Sequence, residues 1–185
     1  ARVPENETAL KNYKIMLSEK MQEALNAQIN AEMWSAYLYL SMSMDCAAKG
    51  HKGVANWFAI QFREEQDHAQ IFMNYVLARG GEVKLAPIAA VDTAWESPLA
   101  AFRQTLEHER KVTAMIDNLC RIAEEERDYA TANMLVWFVN EQVEEEENAR
   151  GMIEAMEAVE GNKFGTYMLD KELAARVYSV PSPLA

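Results

Sequence analysis

Four long stretches of this chain carry apolar residues at alternating spacings of three and four, a period that fits helices buried along one stripe and no strand. The first seam runs Leu25, Ile29, Glu32, Ala36, Tyr39, Ser43, Cys46, and the second Val54, Phe58, Gln61, Glu65, His68, Phe72, Tyr75. The third gives Leu99, Phe102, Leu106, Glu109, Thr113, Ile116, Cys120, and the fourth Leu135, Phe138, Gln142, Glu145, Ala149, Met152, Met156. Each seam is interrupted near its middle by a carboxylate. Solvated faces explain most charge runs, but not a carboxylate on the inner stripe of all four helices.

The breaks between seams set the organisation. Gly50 and Gly53 flank one turn, and Gly80-Gly81 ends the second helix. From Glu82 to Glu96 there is Pro87 and little period, so a long connection is expected. Ser97-Pro98 opens the third helix as N-cap and first helical residue, and Asp128 is placed to cap the fourth. Gly161 and Gly165 bracket the end of the fourth helix, and 166–177 is expected to form a short fifth. The predicted class is all-α: a four-helix bundle with a long crossover between helices 2 and 3 and a short C-terminal helix. The expected parts are an N-terminal extension (1–16), the bundle (17–164) and a C-terminal helix with its tail (165–185). Ala1 fits removal of an initiator Met, and Met16 fits a later natural start.

Charge and composition narrow the function. Half of the 185 residues are apolar, enough for one sizeable core. A net charge of −11 excludes a nucleic-acid surface, which needs clustered Lys and Arg, and favours attraction of cations. No apolar run approaches the ~20 residues of a membrane span. The only two cysteines, Cys46 and Cys120, lie inside helical patterns and read as reduced core thiols, so a cytoplasmic location is expected.

The interrupting carboxylates sit at one height. Glu32 lies about 17 residues before the Gly50 turn and Glu65 about 15 after it, roughly 26 and 22 Å of helix. The two glutamates therefore face each other across the hairpin. Glu65 follows Glu32 by 33 positions, and Gln142 follows Glu109 by 33. A single shift of 77 places Glu32 on Glu109, Glu65 on Gln142 and His68 on Glu145. The repeat reads Glu then Glu-x-x-His, followed by Glu then Gln-x-x-Glu, as two halves about a common centre. Four carboxylates in one bundle core repel one another and each loses hydration. Two divalent cations cancel their charge, and Glu and His at i, i+3 can serve one ion. Oxygen-rich ligands with one imidazole suit Fe, Mn or Mg better than Zn or Cu.

Over about Leu17 to Leu173 the chain resembles the bacterial non-haem ferritins, carried by "NAEMWSAYLYL", "REEQDHAQ", "LEHE" and "WFVNEQVEEEEN". The resemblance implies that Glu32 and His68 hold one iron, that Glu65 bridges, and that Glu109 and Glu145 hold a second. Gln142 would be a nearby hydrogen-bonding group or weak ligand, and Tyr39 the tyrosine beside the di-iron centre. Glu64, Glu141 and Glu144 match a weaker third iron site, with a solvated acidic face as the plain alternative. Bacterioferritins place a histidine where Glu145 stands and a haem-ligating methionine where Gln66 stands, so no haem is expected. Mini-ferritins put their ligands across a subunit interface, and rubrerythrins need a four-cysteine domain. The "ARVPENETALKNYK" start and "VYSVPSPLA" end carry no assignable pattern.

The implied activity is a ferroxidase: two Fe(II) ions each give an electron to O2 or hydrogen peroxide, and ferric iron hydrolyses to a mineral inside a hollow shell of twenty-four like subunits. Met33, Trp34, Met42 and Met44 are candidate assembly contacts. Two rival classes are a di-iron oxygenase acting on an organic substrate and a purely structural helical protein. Retained iron, as against organic turnover, separates the first rival, and stoichiometric metal binding the second.

Overall fold

The computed structural model describes residues 17–185, so the expected extension 1–16 lies outside the described residues. The helices are α1 (Glu19–Ala48), α2 (Lys52–Ala78), α3 (Pro98–Glu126), α4 (Tyr129–Ala158) and α5 (Lys163–Leu173), with a closing 3-10 turn at Ser182–Leu184. No strand occurs among the described residues.

Local chemistry starts each long helix except α2. Ser18 accepts a hydrogen bond from Met21 N at 3.0 Å, Ser97 one from Ala100 N at 3.1 Å, and Asp128 one from Thr131 N at 3.1 Å. The weak break before α4 lacks a glycine; Arg127 turns it in the left-handed conformation, with φ 55. For α5 the boundaries differ from expectation. Asn162 caps it, its Oδ1 accepting from Gly165 N at 2.9 Å, so Gly165 lies inside the first turn of α5 rather than ending α4.

The helices pair as α1 with α2 and α3 with α4, and α1 also meets α3. The crossover is strapped to α1 by one polar strip. Asn26 Nδ2 donates to Glu82 O, Asn30 Nδ2 to Pro87 O and Trp34 Nε1 to Ala90 O. Ser41 donates to Asp92 O, and Asp45 accepts from Trp95 N. Their spacings of four and seven place them on one helix face, which satisfies a connection that has no helix of its own.

The core has two apolar layers. One contains Leu25, Ile29, Phe72, Ile116, Leu135 and Phe138, with the Phe72 and Phe138 rings stacked at 4.0 Å. The other contains Leu38, Met42, Trp57, Phe58 and Phe102, with Phe58 and Phe102 stacked at 4.9 Å. Between them lies the belt of carboxylates. Seam positions on α1 are all buried, but on α3 Leu99, Leu106, Thr113 and Cys120 are half-exposed while Thr105, His108, Val112 and Leu119 are buried. α3 faces both α1 and α4, which widens and rotates its inner stripe. Met42 is fully buried and so cannot be an assembly contact, whereas Met44 is 57% exposed.

Candidate metal centre

Each long helix delivers its polar interruption to the belt between the two layers: Glu32 and Tyr39 from α1, Glu65 and His68 from α2, Glu109 from α3, Gln142 and Glu145 from α4. All seven are between 0 and 5% exposed. Water cannot solvate them, so their charges must be met by protons, hydrogen bonds or cations.

Glu32, Glu65 and His68 offer ligand atoms that lie within 4.8 Å of one another. His68 Nδ1 sits 3.3 Å from Glu65 Oε2. Gln28 Nε2, one turn before Glu32, donates to its Oε1 at 2.7 Å. Oε2 of the same carboxylate is buried without a hydrogen-bond partner, the only such side-chain atom found among the described residues. A buried acceptor left unmet in an otherwise satisfied core is what a ligand oxygen looks like without its cation.

The other half is tied by donors. Tyr39 donates its hydroxyl to Glu109 Oε1, and Gln142 Nε2 lies 3.2 Å from Glu109 Oε2 and 3.3 Å from the Glu109 carbonyl. Gln61 Nε2 donates to Glu145 Oε2 at 2.8 Å. Of the three acids expected to make a third site, Glu141 comes nearest, its Oε1 4.0 Å from His68 Nε2. Glu64 is instead paired with Arg176 at 2.9 Å, and Glu144 is exposed.

Burial and mutual repulsion hold protons on these acids. Glu65 is pushed well above the carboxylate range by burial, then by Glu109 and Glu32. Glu145 is pushed up by burial, then by Glu109 and Glu65. Burial lifts Glu109 to about 6, although bonds from Tyr39 and Gln142 pull the other way. Burial and Glu109 also raise Tyr39 well above 10.0, which keeps it a phenol. Burial of Glu141 raises it too, partly offset by His68.

A raised carboxylate value in the folded state means that stability is full at low pH and is lost as the acid ionises. The metal-free protein should therefore lose unfolding free energy as pH rises from about 4.5 through about 6. His108, lowered to about 4 by burial, works in the opposite sense over the same range, one group against four. Against the effect of burial, hydrogen bonds from Thr131 and Arg79 hold Asp128 below the usual carboxylate range, so it does not contribute there. Denaturant unfolding at successive pH values checks this, and a divalent cation should flatten the slope. Stability that rises across the window would contradict the uncompensated acidic belt.

Several contributors went unread in the sequence. Gln28 was visible at i−4 from Glu32, and Gln61 stood on its seam without a role. His108, adjacent to Glu109, is buried with Nε2 2.7 Å from Ser35 Oγ and its ring 6.0 Å from that of Tyr39. Nothing in the local pattern marked Arg176.

Residues 22–159 match the family model described as a ferritin-like domain. The chain is 43% identical over 161 residues to a bacterial non-heme ferritin of Bacteroides fragilis, covering 87% of this chain and 100% of that one. It is 36% identical over 163 residues to a bacterial non-heme ferritin of Staphylococcus aureus, covering 88% and 98%. A solved open pore ferritin from the hyperthermophilic archaeon Archaeoglobus fulgidus superposes with a TM-score of 0.86 at 47% identity, covering 87% of this chain and 99% of that one.

Proposed function

The chain belongs to the ferritin-like family, and on that premise we propose that its iron-storage function begins with oxidation of Fe(II) at the carboxylate belt. The observation that carries the reading is the convergence of Glu32, Glu65 and His68 within 4.8 Å, with the buried Glu32 Oε2 unmet. Two Fe(II) ions are the substrate. Glu32 and His68 hold one, Glu109 and Glu145 the other, and Glu65 lies between them as the bridge. Gln142 and Tyr39 act by hydrogen bonding to Glu109.

Entry of two dications replaces the protons that burial keeps on Glu65 and Glu145, so uptake releases protons. The hard carboxylate oxygens then favour Fe(III) over Fe(II). Each ion gives one electron; O2 accepting two electrons and two protons leaves as hydrogen peroxide, and hydrogen peroxide as oxidant would leave as two waters. Ferric iron moves on to a mineral inside a shell of twenty-four copies, and the net charge of −11 draws cations toward that shell. Two free thiols, Cys46 and Cys120, suit a reducing cytoplasm. No described helix is long and apolar enough to cross a membrane.

Anaerobic Fe(II) titration followed by an air pulse tests the proposal. Absorption of oxo-bridged ferric pairs should grow until two irons per subunit are bound; oxidation no faster than in buffer would overturn it. The same titration bears on the third site. Glu141 beside His68 supports a weak, partly hydrated cation there, and Glu64 and Glu144 act on Glu141 electrostatically. Glu141→Ala with Glu144→Ala should leave two tight equivalents and remove a weaker third. Saturation still at three would make these acids a solvated face.

A further inference from the structure

We infer that Arg176, in the tail beyond α5, is a positioning residue for the second iron position, acting through the amide of Gln61 on Glu145. The inference rests on the proposed metal centre and goes beyond it by assigning work to the tail.

The tail is laid along α2 by built contacts. Asn56 Nδ2 donates to the carbonyls of Leu173 at 3.1 Å and Arg176 at 3.0 Å, which fixes the backbone where the side chain departs. The guanidinium lies 4.8 Å over the Trp57 ring, and its Nη1 donates to Trp57 O at 3.3 Å. Its Nη2 donates to Glu64 Oε2 at 2.9 Å and to Gln61 Oε1 at 2.8 Å. Gln61 is fully buried, and its Nε2 donates to Glu145 Oε2 at 2.8 Å.

Donor and acceptor chemistry gives this chain a direction. An amide is nearly symmetric in shape, and its two ends are told apart by their partners. Arginine only donates, so the end of Gln61 that meets Arg176 must be the oxygen. The N–H end is then obliged to face Glu145, where it supports a carboxylate held ready for a cation. Without the guanidinium the amide is free to turn, and an oxygen facing Glu145 would repel the carboxylate that forms when a cation displaces its proton. Outer hydrogen-bonding partners of metal ligands typically change metal affinity 10–100-fold. Arg176 thus reaches Glu145 across two hydrogen bonds without touching it.

The test is anaerobic Co(II) titration of the assembled protein by calorimetry and by the metal's visible spectrum. Arg176→Leu should weaken the second Co(II) equivalent about tenfold while the first stays within about twofold. Gln61→Leu should do the same, and the double variant should be no worse than Gln61→Leu alone, because both act along one path. Arg176→Lys, also a pure donor, should recover most of the lost affinity. If Arg176→Leu detaches the tail, Arg176→Gln, which can present an acceptor oxygen, should still give the selective loss. Additive losses, equal weakening of both equivalents, or a new equivalent at Glu64 with the second unchanged would each overturn the inference. Glu145→Ala separates the two readings: two equivalents surviving in that variant would overturn the metal centre itself.

Discussion

Glu65→Ala is expected to slow rapid Fe(II) oxidation by about a hundredfold or more while the metal-free bundle stays folded. Glu65 sits between the two halves, 3.3 Å from His68 and within the fields of both Glu32 and Glu109. In the proposed centre, removing it leaves two ions that no longer share a ligand, so delivery of two electrons to one oxidant loses its fixed geometry. Stability responds in the opposite sense. Truncating a buried side chain leaves a cavity costing about 2–5 kcal/mol, but deleting one of several mutually repelling acids relieves a burial penalty of roughly several kcal/mol. The terms are of similar size, so the metal-free melting temperature above pH 6 should stay close to that of the parent protein. Stopped-flow oxidation and a metal-free thermal melt measure the two effects separately. Oxidation at the parent rate would remove the two-iron assignment.

Gly53→Ala should have the largest effect on architecture. A Cβ at Gly53 would stand 1.6 Å from the Asp170 carbonyl oxygen and 2.5 Å from its carbon, both backbone atoms of α5 that no rotamer change can move. α5 must shift, and Asp170 Oδ1 then leaves Gly53 N and Val54 N, which it caps at 2.9 and 3.0 Å. His51 offers no side-chain cap at the start of α2, so nothing nearby replaces it. Loss of two hydrogen bonds to a charged carboxylate should cost about 3 kcal/mol or more. The tail should become open to proteolysis, and the second Co(II) equivalent should weaken as expected for Arg176→Leu. Gly50→Ala in the same turn is the control: its φ of +86 carries strain of about 1–2 kcal/mol, but nothing lies within 4 Å of the added methyl. Tail protection unchanged in Gly53→Ala would show that α5 is not locked there.

Most of the belt could be read before folding because a helix converts sequence spacing into height. Glu32, Glu65, Glu109 and Glu145 sit near mid-seam, and a rise of 1.5 Å per residue brings them level. Ser97, Pro98 and Asp128 were legible for a related reason, since a cap bonds to a donor only three residues away. Gly165 shows where local reading fails. A glycine marks a break only if no cap lies upstream, and Asn162 starts α5 before it at a cost of about 1 kcal/mol for glycine in a helix.

Sequence alone thus determined the all-α class, the two hairpins, the long crossover and the set of acids sharing one height, because each follows from periods and caps spanning at most a few turns. Tertiary structure decided which acids have partners and which do not. It gave Glu64 to Arg176, left Glu32 Oε2 unmet, rotated the inner stripe of α3 and set Gln61 between guanidinium and carboxylate. Two of those outcomes join Arg176 to residues more than a hundred positions away, Glu64 and Gln61, through a tail without period. No local spacing encodes such a contact; it exists only once α5 has docked on α2 and burial has removed water as the alternative partner.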